Sequence, residues 1–192
     1  AKALSDSRKA VFVQLEQSVK ELLSDLGMPS ATLQVKHEEI ALSPSGSDLI
    51  DILFSANKGI SPSPLKQAAS GGEFSRLMFA IKYILADKTA LPTIVFDEID
   101  TGISGEIAIK MAQMMERMAQ NHQVITITHL PQIAAKGAAH YFVYKDESET
   151  TTNSQIKLLI EADRLKEIAE MIGGKGASAK ALDSARELMN MG

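Results

Sequence analysis

The stretch Thr93-Ile94-Val95-Phe96-Asp97-Glu98-Ile99-Asp100 decides the fold class of this chain. Thr93–Phe96 is a short apolar run that stops abruptly at two carboxylates, and it reads as a buried parallel strand. Val124–Thr128 is a second such run, followed at once by His129. Between them, residues 105–119 place Ile107, Met111, Met114, Met115 and Met118 on one helical face, a methionine-rich core stripe. A short helix over 131–136 is predicted to lead to a third strand, Tyr141–Tyr144. Ser154–Ile160 reads as its partner beyond a polar turn at 146–153, and helices over 163–172 and 177–190 close the chain. Strand–helix–strand units imply right-handed crossovers and an α/β fold with a parallel sheet covered by helices.

Working towards the N-terminus, Phe74, Leu77, Met78, Ile81, Ile84 and Leu85 form the apolar stripe of another helix. Residues 57–72 are rich in Ser, Pro, Gly and Lys and read as a loop. Thr32–Ile40 and Leu49–Ala56 flank Ser43-Pro44-Ser45-Gly46-Ser47 and predict a β-hairpin. Residues 1–27 predict a helix in which Phe12, Leu15, Val19, Leu22 and Leu26 alternate at spacings of three and four. That spacing suits a coiled-coil seam and equally an amphipathic helix lying on a globular core. Gly27 and Pro29 stop it, and no cap precedes it, as expected of a fragment that begins inside a helix.

The chain has 192 residues, somewhat more than a typical domain of about 150. Hydrophobic residues at 45% and charged residues at 23% fit a folded globular protein and argue against disorder. The absence of cysteine excludes disulfides, a Cys-containing zinc site and a thiol nucleophile, and fits a reducing, cytoplasmic compartment. No apolar run is long enough to span a membrane and the first residues have no signal-peptide character. A net charge of -4 argues against a broadly basic nucleic-acid surface.

Three short segments carry the candidate chemistry. Ser70-Gly71-Gly72-Glu73 precedes a helix. It suits a capping box, Ser70 capping and Glu73 reaching back, and it also suits an anion site where glycines let backbone amides approach a phosphate. Asp97 and Glu98 follow a buried strand, where paired carboxylates need a cation or polar partners. Asp97 suits a hydrated Mg²⁺ and Glu98 suits a group that orients or deprotonates water, although an acidic, solvated loop has the same composition. His129 stands at the end of the neighbouring strand; His37, His122 and His140 have no ligand-like spacing and read as structural or solvated.

In this order the three segments resemble the signature motif, Walker B and H-loop of ABC-type ATPases. The longer stretches 69–77, 96–105 and 127–134 resemble the RecN family of bacterial DNA repair proteins, SMC-like members of that superfamily. Asp100-Thr101-Gly102-Ile103-Ser104-Gly105 sets that family apart from transporters and from SMC proteins proper. Leu26-Gly27-Met28-Pro29 and the stretch 164–174 carry the likeness over nearly the whole chain. A P-loop, G-x-x-x-x-G-K-[ST], is missing, since Gly173-Gly174-Lys175-Gly176 has glycine after the lysine and follows a helix.

The resemblance implies the C-terminal half of an ATPase head. Residues 1–28 would be the end of a coiled-coil arm and residues 29–192 the C-terminal lobe. The P-loop would come from the N-terminal half of the same protein, and the fragment alone would be inactive. With ATP and Mg²⁺ as cofactors, Asp97 would hold the metal through water, Glu98 would be the catalytic carboxylate and His129 would contact the γ-phosphate. Ser70, Gly71, Gly72 and Glu73 would face the nucleotide of a second protomer, with Asp100 in the D-loop at that interface. DNA would be met through the complete protein, in double-strand break repair and recombination, at the nucleoid and with no membrane contact. Half of another SMC-like or ABC ATPase head, or a non-catalytic interaction module, would share much of this pattern.

Overall fold

The computed structural model describes residues 1–68, 71–86, 88–89, 91–147 and 152–190. Helix α1 (Lys2–Asp25) buries apolar side chains only in its second half: Val19 and Leu23, with Leu26 just beyond, are buried, while Leu4, Val11 and Val13 face solvent and the first half buries only the polar Ser5. Leu23, outside the expected seam, carries more of the packing than half-buried Leu22, because the core meets this helix from one side. Gly27 ends it with φ 79°, and a Cβ there would run into the Ile107 side chain, so α1 terminates directly on a later helix.

The hairpin β1 (Thr32–Ser43) and β2 (Gly46–Ser55) pairs in antiparallel register from Thr32↔Ser55, with a shift between Glu39 and Ser43. The strands run further than the composition predicted, leaving only Pro44 and Ser45 as the turn. Two residues of β3 (Ser63–Pro64) extend this sheet, and α2 (Leu65–Ala68) follows in what was expected to be loop. A polar clasp fastens α1 to the hairpin. Asp48 is buried and accepts hydrogen bonds from Ser5 Oγ (2.6 Å) and Arg8 Nη1 (2.9 Å), while His37 Nε2 lies 2.7 Å away. Glu16 adds a further tie by accepting the backbone N–H of Val35 at 2.7 Å.

Helix α3 (Gly71–Ala86) starts three residues earlier than its apolar stripe suggested. Leu77, Phe79 and Ala80 are fully buried, whereas Phe74 and Leu85, expected in the stripe, are exposed. Phe79 meets Phe96 of β4 (Thr93–Asp97) with ring centroids 5.1 Å apart, and Lys82 lies over the Phe96 ring. The crossover helix α4 (Gly105–Met118) buries Ala108, Met111, Ala112, Met114, Met115 and Met118, so the methionine stripe is core. It returns the chain to β5 (Gln123–Ile127), which pairs with β4 in parallel register: Thr93↔Gln123 through Asp97↔Ile127.

This parallel sheet has two strands among the described residues and is covered on one face only. Ile94 and Phe96 enter the core, while Val95 (49% exposed), Ile125 (44%) and Ile127 (54%) form an apolar face open to solvent. After α5 (Pro131–Ala134), β6 (Tyr141–Glu147) pairs with β7 (Thr152–Leu158) as expected, but the two form a separate antiparallel hairpin and β6 does not join β5 as a third strand. Helices α6 (Glu161–Gly173) and α7 (Ala179–Asn190) close a smaller core of Ala135, Ile168, Ala169, Ala181 and Ala185.

The hydrogen bonds from His37, Ser5 and Arg8, in that order of weight, hold the Asp48 carboxyl well below the usual carboxylate range, against burial, which raises it. A group whose pKa is lower folded than unfolded adds stability that is complete above the unfolded value, about 4, and is lost as pH falls towards the folded one. Asp48→Asn is expected to unfold at a lower urea midpoint at neutral pH, with a gap that holds down to about pH 5 and narrows below about pH 4. Urea melts across that range measure it, and a gap independent of pH would show that the clasp does not stabilise the charged form.

Candidate functional site

Everything that follows β4 and β5 emerges at one edge, because parallel strands in register end together. Asp97 closes β4 opposite Ile127, and the next amide, Glu98 N–H, donates to the Ile127 carbonyl at 3.2 Å, carrying the ladder one residue further. Glu98 itself has φ 48°, a left-handed conformation that a residue with a Cβ adopts at a cost of about 1–3 kcal/mol. Its carbonyl is held by two donors from Thr101, the hydroxyl at 2.9 Å and the amide at 3.4 Å. The turn thus holds Glu98 in a conformation it would not choose alone, with the side chains of Asp97 and Glu98 exposed.

Asp100 goes the other way. It is 1% exposed, one carboxylate oxygen (Oδ2) accepts a hydrogen bond from Thr128 Oγ1, and Thr128 Oγ1 in turn accepts the amide of Leu130 at 3.0 Å. The other oxygen, Oδ1, has no hydrogen-bond partner among the described residues and lies 3.9 Å from Nδ1 of His129, whose side chain is 70% exposed. The loop after β4 is thereby locked to the loop after β5. Thr128, a strand-end residue given no role from sequence, makes that lock; nothing in the local pattern marks it, since the contact spans residues far apart in the chain.

The same loop also meets α3. A Cβ built on Gly72 would stand 2.9 Å from the Thr101 carbonyl oxygen, so the first turn of α3 reaches the backbone of this loop because residue 72 has no side chain. Gly71, Gly72 and Glu73 form that first turn rather than a loop before it. Glu73 is half-buried, and Ser70 lies outside the described residues. The structure therefore gathers Gly72, Asp97, Glu98, Asp100 and His129 around residues 97–105. His37 is taken up by the Asp48 clasp, and His122 Nδ1 lies 2.7 Å from the Leu91 carbonyl oxygen.

Among the described residues no group of three or more metal-ligating side chains converges. Mg²⁺ takes one or two carboxylates and completes its shell with water and phosphate oxygens. Asp97 and Glu98 fit such a role. Both are exposed at the strand end, and neither has a lysine or arginine within ion-pair distance among the described residues.

Comparison with known proteins gives the same direction along the whole chain. It is 40% identical over 98% of its length to the DNA repair protein RecN of Xylella fastidiosa (strain 9a5c), and 41% identical over 97% to that of Deinococcus radiodurans. The likeness to RecN read from the motifs is thus a likeness of the chain from end to end. The chain spans about a third of the length of these relatives (34% and 33%). No protein-family model matches. The Smc head domain of Pyrococcus yayanosii superimposes with TM-score 0.61 at 19% identity, over 88% of this chain and 32% of that one. A structure from work on ATP-driven dimerization and DNA stimulated activation of SMC ATPases matches with TM-score 0.55 at 18% identity, over 89% of this chain and 99% of that one. The fold is that of SMC head parts: mixed α/β, with the parallel pair β4–β5 and its helices.

The two glycines of α3 should separate in their response to a methyl group. No described atom lies within 4 Å of a Cβ on Gly71, so Gly71→Ala is expected to be neutral or up to about 1 kcal/mol stabilising. Gly72→Ala must displace the Thr101 backbone and is expected to lose about 1–3 kcal/mol. Denaturant melts of the two variants check this, and equal behaviour would remove the close approach of α3 to the loop.

Proposed function

We propose that this chain is the C-terminal part of the head of a RecN-like ATPase that acts in DNA double-strand break repair and recombination. Residues 1–28 then end a coiled-coil arm, and residues 29–192 form the lobe that bears the signature motif, Walker B, D-loop and H-loop. The observation that carries this reading is the gathering of Gly72, Asp97, Glu98, Asp100 and His129 about one loop at the carboxyl ends of two parallel strands. Ligands of open α/β sheets bind at that edge. The relatives' printed function and the SMC head fold support the same reading.

The chemistry is phosphoryl transfer from ATP to water. Bound Mg²⁺ and the P-loop of the N-terminal half would neutralise charge on the transferring phosphate. On this lobe, Asp97 would hold Mg²⁺ through its water shell, and Glu98 would accept a proton from the attacking water. Glu98 takes its left-handed backbone directly after the last ladder bond, and the residue is exposed at the strand end. His129 presents its exposed ring to the γ-phosphate. Ser70, Gly71, Gly72 and Glu73 would form the signature face that closes over the nucleotide of a second protomer, so ATP joins two heads. The face of Val95, Ile125 and Ile127 supports coverage by the half that carries the P-loop.

In the complete protein, Glu98→Gln is expected to lower kcat by about 10²–10⁴-fold while nucleotide affinity stays within about threefold, since the amide cannot accept the proton. Single-turnover hydrolysis and nucleotide titration check both halves; normal turnover would refute the assignment of Glu98.

Ser70→Arg tests the trans role of the α3 turn. ATP binding to each protomer should persist, while ATP-driven association and hydrolysis are lost. Mixed with a P-loop variant, the Ser70→Arg chain should regain part of its activity, because one composite site then pairs its intact P-loop with an intact signature. Association and turnover equal to the unmodified protein would exclude that role and leave only a helix cap worth about 1 kcal/mol.

A further inference from the structure

Asp100 is the most enclosed charged side chain of the site, and the chemistry assigned to Asp97, Glu98 and His129 leaves it without a task. Its burial to 1% exposure requires that both carboxylate oxygens be answered. Oδ2 is answered by Thr128 Oγ1. The Thr128 hydroxyl has a single proton and spends it on Asp100, while its lone pair takes the amide of Leu130, so the backbone on both sides of His129 is fixed from Asp100. Oδ1 is left buried and unanswered, and the nearest donor is Nδ1 of His129 at 3.9 Å, a separation that a small rotation of an exposed ring closes to a hydrogen bond.

We propose that Asp100 is the positioning residue of His129: its Oδ1 takes the Nδ1 proton of the imidazole, which fixes the ring and turns Nε2 outward to the anion that the site receives. The ring nitrogen that carries the proton is set by the partner of the other nitrogen, and a carboxylate behind a histidine is a recurrent way to set it. When a phosphate oxygen meets Nε2, the ring takes up one proton from solvent and donates from both nitrogens. The buried carboxylate behind it then stabilises the charged ring without itself becoming protonated. Asp100 therefore acts inside its own chain, behind His129, while the exposed neighbours Thr101 and Gly102 remain available to a second protomer.

The pairing of Asp100 with His129 stands on geometry alone, whereas its consequence for turnover rests on the ATPase reading above, and the test separates them. In the 192-residue chain labelled with ¹⁵N-histidine, the neutral His129 ring is expected to be mainly the Nδ1–H tautomer. Asp100→Ala is expected to lose that preference while His37, which is held by Asp48, keeps its signals. A His129 ring that is mainly Nε2–H in the unmodified chain overturns the proposal, and so does an Nδ1–H preference that survives in Asp100→Ala. The first of these needs no variant to fold. In the complete protein with MgATP, Asp100→Asn is expected to lower kcat by roughly 10–100-fold with little change in KM, the range seen when a group orienting a histidine is lost. An unchanged kcat overturns the role in turnover. If the unmodified complete protein fails to hydrolyse ATP, it is the ATPase reading that falls, and the nitrogen signals still decide whether Asp100 sets His129.

Discussion

The parallel, in-register pairing of β4 with β5 is the constraint on which the rest of the site depends. Thr93↔Gln123 through Asp97↔Ile127 leaves no stagger, so the residues that follow both strands emerge side by side. Parallel strands cannot be joined by a tight turn; a crossover is required, and here it is α4. The crossover must then pack on one face of the pair, and its buried alanines and methionines do so. A slip of one residue would exchange Ile94 and Phe96 for Val95 in the core and separate Asp100 from Thr128 at the same time. Packing of the interior and alignment of the site are therefore one property of the register.

At the strand ends, stability is given up for placement. The left-handed Glu98 costs about 1–3 kcal/mol, and a buried carboxylate costs several more unless it is met. The hydrogen bond from Thr128 returns about 1.5–3 kcal/mol, and Thr101 holds the turn through two donors to the Glu98 carbonyl. None of these groups fills the core except Asp100, which is 1% exposed. The outlay lies at a loop that joins three segments: the first turn of α3 through Gly72, the end of β4, and the end of β5 through Thr128.

The strands, the methionine-lined crossover and the hairpin were legible in the sequence because each is a local pattern: apolar runs, helical spacing, a Pro-Ser-Gly turn. Asp97, Glu98 and His129 were legible as polar residues placed abruptly after such runs. The start of α3 was misplaced because Gly71 and Gly72 read as loop, while in the structure both lie in the first turn of the helix and the missing side chain of Gly72 serves the approach to Thr101. Phe79 was missed because the stripe was counted from Phe74, which faces solvent. The Asp48 clasp and the Asp100–Thr128 bond join residues separated by tens of positions, and no periodicity encodes them. A short apolar run also reads as buried on both faces, which is why the open side of β4–β5 had no local sign; the pairing of β6 with β7 was legible, but not its separation from β5.

That open side bears on how the site is completed. Along β4 the outward residues are Thr93, Val95 and Asp97, so the carboxylate at the strand end stands on the same face as the uncovered Val95, Ile125 and Ile127. The β6–β7 hairpin offers a comparable surface, with Tyr141 opposite Leu158 and Val143 opposite Ile156, all more than half exposed. Apolar surface on this scale marks an interaction face. Whatever covers Val95, Ile125 and Ile127 must come to rest against Asp97. Removing that face from water would at the same time shield the carboxylates from solvent and strengthen every electrostatic contact they make. On the reading proposed above, the half that bears the P-loop supplies that cover. Assembly of the head and completion of its nucleotide site would then be the same event, driven by burial of apolar surface that this lobe leaves uncovered.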